Sequence, residues 1–350
     1  MHTVIKIFLS GLITSLLISS AIADNVGLTH TPVYSDSTRP LDATIWYATE
    51  QSEPQSKIAD NIVFKGTYAV KNAAPKLDRY PLVLLSHGYH GNWRNLNWLA
   101  TRLVQQGYLV AAVDHPGTSS FRHDKIDAEQ WWERPVDISR LLTWLQKESD
   151  WQASIDDSNI SVIGHSLGGW TVMLLAGATV DYASMRQYHD KHPSPLVESV
   201  SEEMRFDIAK PLNRVLTDRR IQSFVSLDLG GAHSFSDESL EQINRSVLVL
   251  SAGIDIGALS VEGGAIDYLS EDKESGHIAR KLPRDSVQYK VYPEATHFSF
   301  VQLCKPNAYQ ILEEELSGDG IICLDGTIKT REQMHDAIYR DVSVFLTSRR

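Results

Sequence analysis

The segment Ile160-Ser161-Val162-Ile163-Gly164-His165-Ser166-Leu167-Gly168-Gly169 sets a serine between two glycines, after an apolar run and before a helical one. A Gly-x-Ser-x-Gly turn between a buried strand and a helix holds its serine in a tight backbone conformation with the hydroxyl projecting. The small flanking residues let neighbouring chain pass close. The amides of the following helix point at the site, which suits a developing oxyanion. The chemistry on offer is nucleophilic acyl transfer through an acyl-enzyme on Ser166. The bare pattern is weak, since a glycine-rich corner has the same letters; the strand before and the helix after make it specific.

A serine needs a base. In a strand–serine–helix arrangement of this kind the base follows the last strand, and three histidines lie late enough. His297 comes directly after the run Gln288-Tyr289-Lys290-Val291-Tyr292 and is the chosen base. His277 lies in a charged stretch and reads as surface, and His335 falls inside a helical pattern. The acid that orients the imidazole should stand between Ser166 and His297 in the chain. Asp255, just past the strand pattern Val247-Leu248-Val249-Leu250, is preferred, with Asp228 at the end of Val225-Ser226-Leu227 as the alternative. The oxyanion donors expected are the backbone N–H of Leu167 and that of Tyr89, in the loop Ser86-His87-Gly88-Tyr89-His90-Gly91.

These residues need a scaffold of alternating strands and helices. Continuous apolar runs at 82–86, 108–113, 160–163, 223–227 and 246–250 read as strands buried on both faces, with 43–47 and 288–292 as further strands. Helical spacing recurs at 92–106, 135–147, 167–177 and 330–346. The alternation predicts an α/β fold with a mostly parallel central sheet and helices on both faces. Residues 180–219 break the rhythm with polar, charged sequence and form an insertion, a lid or pocket wall if not a passive excursion. Asp114-His115-Pro116-Gly117 reads as a hydrogen-bonded turn, and Trp131, Trp132, Trp144 and Trp151 as packing around one helix. No metal-ligand spacing occurs, and neither a metal nor a cofactor is required.

The chain has 350 residues and a net charge of −11, from 33 basic and 44 acidic side chains. That acidity argues against nucleic-acid binding and against adsorption to anionic lipid. Residues 1–23 have the pattern of a removable export signal: Lys6, an apolar run from Ile7 to Ile18, and the small-residue site Ala21-Ile22-Ala23. What remains, 24–350, reads as one domain with no membrane span, exported to the periplasm or beyond. An oxidising compartment permits a disulfide between Cys304 and Cys323.

Several motifs in order resemble a known superfamily. They are Arg39-Pro40-Leu41 through Trp46-Tyr47, Tyr80-Pro81-Leu82 through His87-Gly88, Gly107-Tyr108 through Asp114-His115-Pro116-Gly117, Arg134-Pro135-Val136-Asp137, Gly164 to Gly169, and His297-Phe298-Ser299-Phe300 before Cys304. Together they resemble the α/β-hydrolases, and among them an exported bacterial dienelactone-hydrolase-like group related to plasma-type platelet-activating-factor acetylhydrolases and cutinase-like polyester hydrolases. The resemblance implies a triad of Ser166, an aspartate and His297, with oxyanion amides at Tyr89 and Leu167, acting on small-molecule or lipid-like esters. Position 166 is serine where dienelactone hydrolase itself has cysteine. The acetylhydrolase relatives place their acid where Asp228 stands, and the polyester hydrolases where Asp255 stands. The expectation is an exported serine carboxylic-ester hydrolase. Its rivals are polyester or phospholipid acetyl-ester hydrolysis, and a binding protein on a retained hydrolase fold.

Overall fold

The computed structural model describes residues 25–192, 204, 214–254 and 274–348. The export segment 1–23, most of the insertion between 193 and 213, and Asp255 lie outside the described residues.

Among the described residues ten strands form one sheet. They are β1 (Asn25–Val33), β2 (Leu41–Thr49), β3 (Gln55–Ile58), β4 (Thr67–Lys71), β5 (Tyr80–Ser86), β6 (Leu109–Asp114), β7 (Ile155–His165), β8 (Ser223–Leu227), β9 (Ser246–Ala252) and β10 (Val287–Tyr292). Their order is β10-β9-β8-β7-β5-β6-β2-β1-β4-β3. From β6 to β10 every neighbouring pair is parallel. The chain's first strands add a mixed wing: β2 pairs antiparallel to both β6 and β1, β1 parallel to β4, and β4 antiparallel to β3. The apolar runs of β5, β6, β8 and β9 are buried throughout or nearly so, as a parallel sheet shielded on both faces requires.

The predicted strands all form, and three unpredicted ones join them: β1, β3 and β4. They mix buried with exposed and partly exposed side chains, so they lack the continuous apolar signal of the central strands. The expected helix at 92–106 starts later, at Asn97–Gln105. Side chains hold residues 92–96 in turns instead: Asn95 Oδ1 accepts the Asn92 amide at 2.7 Å, and Asp114 Oδ1 accepts that of Trp93 at 2.8 Å. Helix Arg134–Lys147 has proline at its first turn, where the missing N–H costs nothing. Helix Leu167–Ala176 is buried from Gly168 to Ala176 and packs on β7, β8 and β5. Within the insertion, Tyr182–Lys191 is helical.

The last part of the chain closes over the end of β9 and β10. Cys304 and Cys323 form a disulfide, with Cα atoms 5.8 Å apart across a separation of 19 residues. The Arg331 guanidinium, buried at the start of helix Arg331–Thr347, spans the same region. It donates to the Gln302 carbonyl (3.0 Å), the Ile322 carbonyl (2.8 Å) and the Asp325 carboxylate (3.0 Å). Replacing both cysteines by serine should lower the unfolding free energy by roughly 2–4 kcal/mol, the loop-closure contribution of a bridge this long. Urea denaturation measures it, and an unshifted midpoint would show that Arg331 alone secures the segment.

Candidate active site

Ser166 stands between β7 and helix Leu167–Ala176 with φ 57° and ψ −122°, a backbone conformation that an L-residue adopts only under constraint. The glycines explain how the turn closes. A Cβ on Gly164 would lie 2.0 Å from the Gly168 carbonyl oxygen, and one on Gly168 would lie 2.0 Å from that of Ser86. Both contacts are with backbone, which has no freedom to retreat. The Ser166 amide donates to the Leu227 carbonyl at 3.1 Å, so the elbow is tied to the end of β8. Ser166 and Leu167 remain half-exposed in a surrounding that is otherwise buried.

The residue after Leu227 is Asp228. Its φ is 46°, which turns the carboxylate back across the sheet end. Asp228 Oδ1 accepts the Ala252 amide (2.7 Å) and the Ser251 hydroxyl (3.4 Å). Oδ2 accepts His297 Nδ1–H at 2.7 Å. That bond leaves Nε2 as the basic atom of His297, the tautomer a general base needs. His297 opens the 3₁₀ turn His297–Phe300 behind β10, where Thr296 and Ser299 close a capping box. The preferred acid, Asp255, lies outside the described residues, and the carboxylate on the imidazole is the alternative, Asp228.

His165 packs its ring 4.7 Å from that of His297 and donates Nε2–H to the His297 carbonyl at 2.9 Å. Burial pushes its pKa down to about 3, so it stays neutral beside the His297 ring. Ser166 thus joins the Asp228–His297 pair through the preceding residue's ring and through β8.

The Tyr89 loop lies directly against the elbow: a Cβ on Gly88 would be 3.1 Å from that of Ser166. The Gly88 carbonyl accepts His87 Nδ1–H (2.6 Å) and the Gly91 amide (3.1 Å). Across a trans peptide the Tyr89 N–H points the opposite way. The Tyr89 ring stacks on His90 at 4.3 Å.

Behind this loop lies a polar cluster that the sequence reading did not assemble. Ser86 Oγ donates to His115 Nε2 (2.9 Å), and His115 Nδ1–H donates to Asp137 Oδ2 (3.0 Å). Arg39 binds the same carboxylate at 2.8 and 2.9 Å. The arrangement repeats the serine–histidine–aspartate order, but Ser86, His115 and Asp137 have 0% exposure, and no substrate reaches them. Arg134, equally buried, donates to the His87 carbonyl and the Thr118 hydroxyl. The sequence signal was present in Arg134-Pro135-Val136-Asp137, whose charged residues stand three apart and so share a helix face.

The other sequence candidates have structural partners. His335 donates to the Ser299 and Val301 carbonyls at 3.0 Å and stacks on Trp98. His277 meets Asp237 at 3.3 Å. Trp131 packs on Trp170, and Trp151 on Tyr47. Among the described residues no group of three histidine, cysteine, aspartate or glutamate side chains is placed to hold a metal.

Comparison with known proteins agrees with this architecture. The family described as serine aminopeptidase, S33, matches residues 79–188, which hold the Tyr89 loop and the elbow. Cutinase est1 of Thermobifida alba is 28% identical over 102 residues, 29% of this chain and 32% of that protein. The platelet-activating factor acetylhydrolase of Cavia porcellus is 22% identical over 214 residues, 46% of this chain and 49% of that protein. The chain therefore spans about a third to a half of these curated relatives. A ferulic acid esterase from Streptomyces cinnamoneus shares the fold at 19% identity, with a TM-score of 0.60 over 94% of this chain and 91% of that one. The chain has the α/β-hydrolase fold.

Buried histidines set the acid response of this fold. Burial holds His165 and His335 at about 3, and holds His87 and His115 well below 6.5. As pH falls through 6.5 the unfolded chain takes up protons at these sites and the folded chain does not, so their stabilisation is complete above 6.5 and drains away below it. Asp114, raised by burial to about 7, and Asp137, also raised by burial, act in the opposite sense. Four histidines outweigh two carboxyls. The urea midpoint should be lower at about pH 5 than at about pH 8; an equal or higher midpoint at the lower pH contradicts this balance.

Proposed function

We propose that this protein is an exported serine hydrolase that cleaves carboxylic esters through an acyl-enzyme on Ser166. The observation that carries the reading is the 2.7 Å bond from His297 Nδ1–H to a carboxylate buried beside a serine at φ 57°. In the proposed reaction His297 Nε2 takes the Ser166 proton as Oγ attacks the ester carbonyl. The Tyr89 and Leu167 amides receive the oxyanion, and the protonated imidazole then returns the proton to the leaving alcohol. Water repeats the sequence on the acyl-enzyme. Asp228 holds the tautomer and balances the imidazolium. The machinery requires no cofactor.

Export is supported by the signal-like residues 1–23 and by the Cys304–Cys323 bridge, which persists in oxidising compartments. No helix among the described residues is long and apolar enough to cross a membrane. The cutinase and acetylhydrolase relatives keep polyester and phospholipid acetyl esters as the alternative substrates. An acyl-chain-length profile that includes a polyester film and a phospholipid separates these readings.

Ser166→Ala should abolish p-nitrophenyl ester hydrolysis in a folded protein; retained turnover refutes the nucleophile. A wild-type protein that neither hydrolyses esters nor reacts with a fluorophosphonate would favour the alternative of a binding protein on a hydrolase fold. For the acid, Asp228→Asn should lower kcat by about 10³- to 10⁴-fold, as expected when the imidazole loses its orienting carboxylate. Asp255→Asn should leave kcat within about three-fold of wild type on the same grounds. The reverse pattern would return the role to Asp255.

A further inference from the structure

We infer that Arg134 is a positioning residue for the oxyanion hole, holding the Tyr89 loop and the Ser166 helix at the spacing the two donor amides need. The inference rests on the esterase reading above and adds a residue that touches no substrate.

The geometry is a fork. On one side the guanidinium Nη2 donates to the His87 carbonyl. His87 in turn fixes the next peptide: its Nδ1–H donates to the Gly88 carbonyl at 2.6 Å, while its Nε2 accepts the His115 amide at 3.0 Å. With the His87 and Gly88 carbonyls both engaged, the orientation of the Tyr89 N–H is set. On the other side Arg134 Nε donates to Thr171 Oγ1 at 3.2 Å, and that hydroxyl donates to the Leu167 carbonyl at 2.9 Å. One rigid, planar group therefore connects the two residues whose amides would receive the oxyanion. Lysine has neither the plane nor the donors to do this.

The arrangement is costly, which argues that stability alone does not account for it. Arg134 is fully buried, and burial pushes its pKa down to about 9, so it remains charged at neutral pH. Its hydrogen-bond partners are neutral: a carbonyl and the hydroxyls of Thr118, Thr171 and Ser86. The nearest compensation comes through Asp137, three residues on, which is already held by Arg39 and His115. A buried cation without a bonded carboxylate is poor scaffolding compared with an apolar side chain of similar size. Its electrostatic sense is favourable for an anion forming on the far side of the peptides it binds.

The test uses the mature protein with p-nitrophenyl butyrate as substrate and butylboronic acid as a tetrahedral mimic on Ser166. Arg134→Gln should lower kcat by roughly 30-fold or more with KM within about three-fold, and weaken boronate inhibition by a similar factor. Thr171→Val, nearly equal in shape, breaks only the Leu167 arm and should show the same pattern at about five-fold. A structural role would lower the melting temperature without separating kcat from KM. The inference is overturned if the folded variants keep kcat within about two-fold of wild type, or lose kcat while boronate binding is unchanged. Should Arg134→Gln not fold, Thr171→Val decides alone. If the wild type does not hydrolyse the ester, or Ser166→Ala does, the esterase reading fails and takes this inference with it. A dead Ser166→Ala beside fully active Arg134 and Thr171 variants removes only the positioning role.

Discussion

Backbone meets backbone at the head of β5 and β7, and the site depends on that contact. Gly168 lies so close to the Ser86 carbonyl that a side chain there has no place, and Gly164 lies equally close to Gly168. Three things follow from one approach. Ser166 is forced to positive φ, at a conformational cost of order 1–3 kcal/mol that the buried helix behind it offsets. The Tyr89 loop, which starts at Ser86, begins within a fixed distance of the elbow. The amides of Tyr89 and Leu167 consequently belong to two segments that neither compress nor drift apart freely. Positioning by backbone contact suits a site whose proposed oxyanion donors are themselves backbone groups.

Low polarity around the site then decides which groups carry charge. Three buried histidines besides His297 lie in or under it, and the hydrogen bonds fix how each of the three is protonated. His165 donates to a carbonyl, His87 donates to one carbonyl and accepts one amide, and His115 donates to Asp137 and accepts from Ser86. All are kept neutral chiefly by burial. A second cation 4.7 Å from the His297 ring would oppose the imidazolium that the proposed acyl transfer requires; a neutral His165 does not. The Asp228 carboxylate, which accepts from Ala252 and Ser251 as well as from His297, is the one anion among the described residues bonded to that ring.

The central strands, the elbow and His297 were readable because each leaves a local mark: a continuous apolar run, a Gly-x-Ser-x-Gly turn, a histidine just past a strand. The acid was not, because its identity is decided between strands. Asp228 and Asp255 both follow buried runs, and nothing local says which carboxylate turns inward. What turns Asp228 is its φ of 46° and the Ala252 amide on the neighbouring strand, neither of which is a property of the letters around it. Aspartate tolerates that backbone region better than most residues, so the Asp228-Leu229-Gly230-Gly231 corner held a hint. The wing strands β1, β3 and β4 carry a weaker mark for the complementary reason, since exposed side chains within them dilute the apolar signal on which strand detection depends. The Ser86–His115–Asp137–Arg134 cluster joins residues from β5, the end of β6 and a helix, a set that only tertiary packing assembles.

The segment after His297 shows how a side chain on a short turn is kept in register. A 3₁₀ turn of four residues has little hydrogen bonding of its own and would open easily if left to itself. Here Thr296 Oγ1 donates to the Leu324 carbonyl at 2.9 Å, and Ser299 donates to Asp325. Asp325 is gripped by Arg331, and Cys323 is bonded to Cys304 just beyond the turn. Every one of these anchors comes from the stretch between Cys304 and Arg331, which contributes no reacting group. Arg331 gives up solvent to do this, its pKa lowered by burial, yet it has Asp325 and three backbone carbonyls as partners. Arg134 lacks such a carboxylate. Of the two buried guanidinium groups, the one at the C-terminal clasp is satisfied as a structural ion pair should be. The one beneath the Tyr89 loop is left with a net positive charge facing the place where negative charge would form.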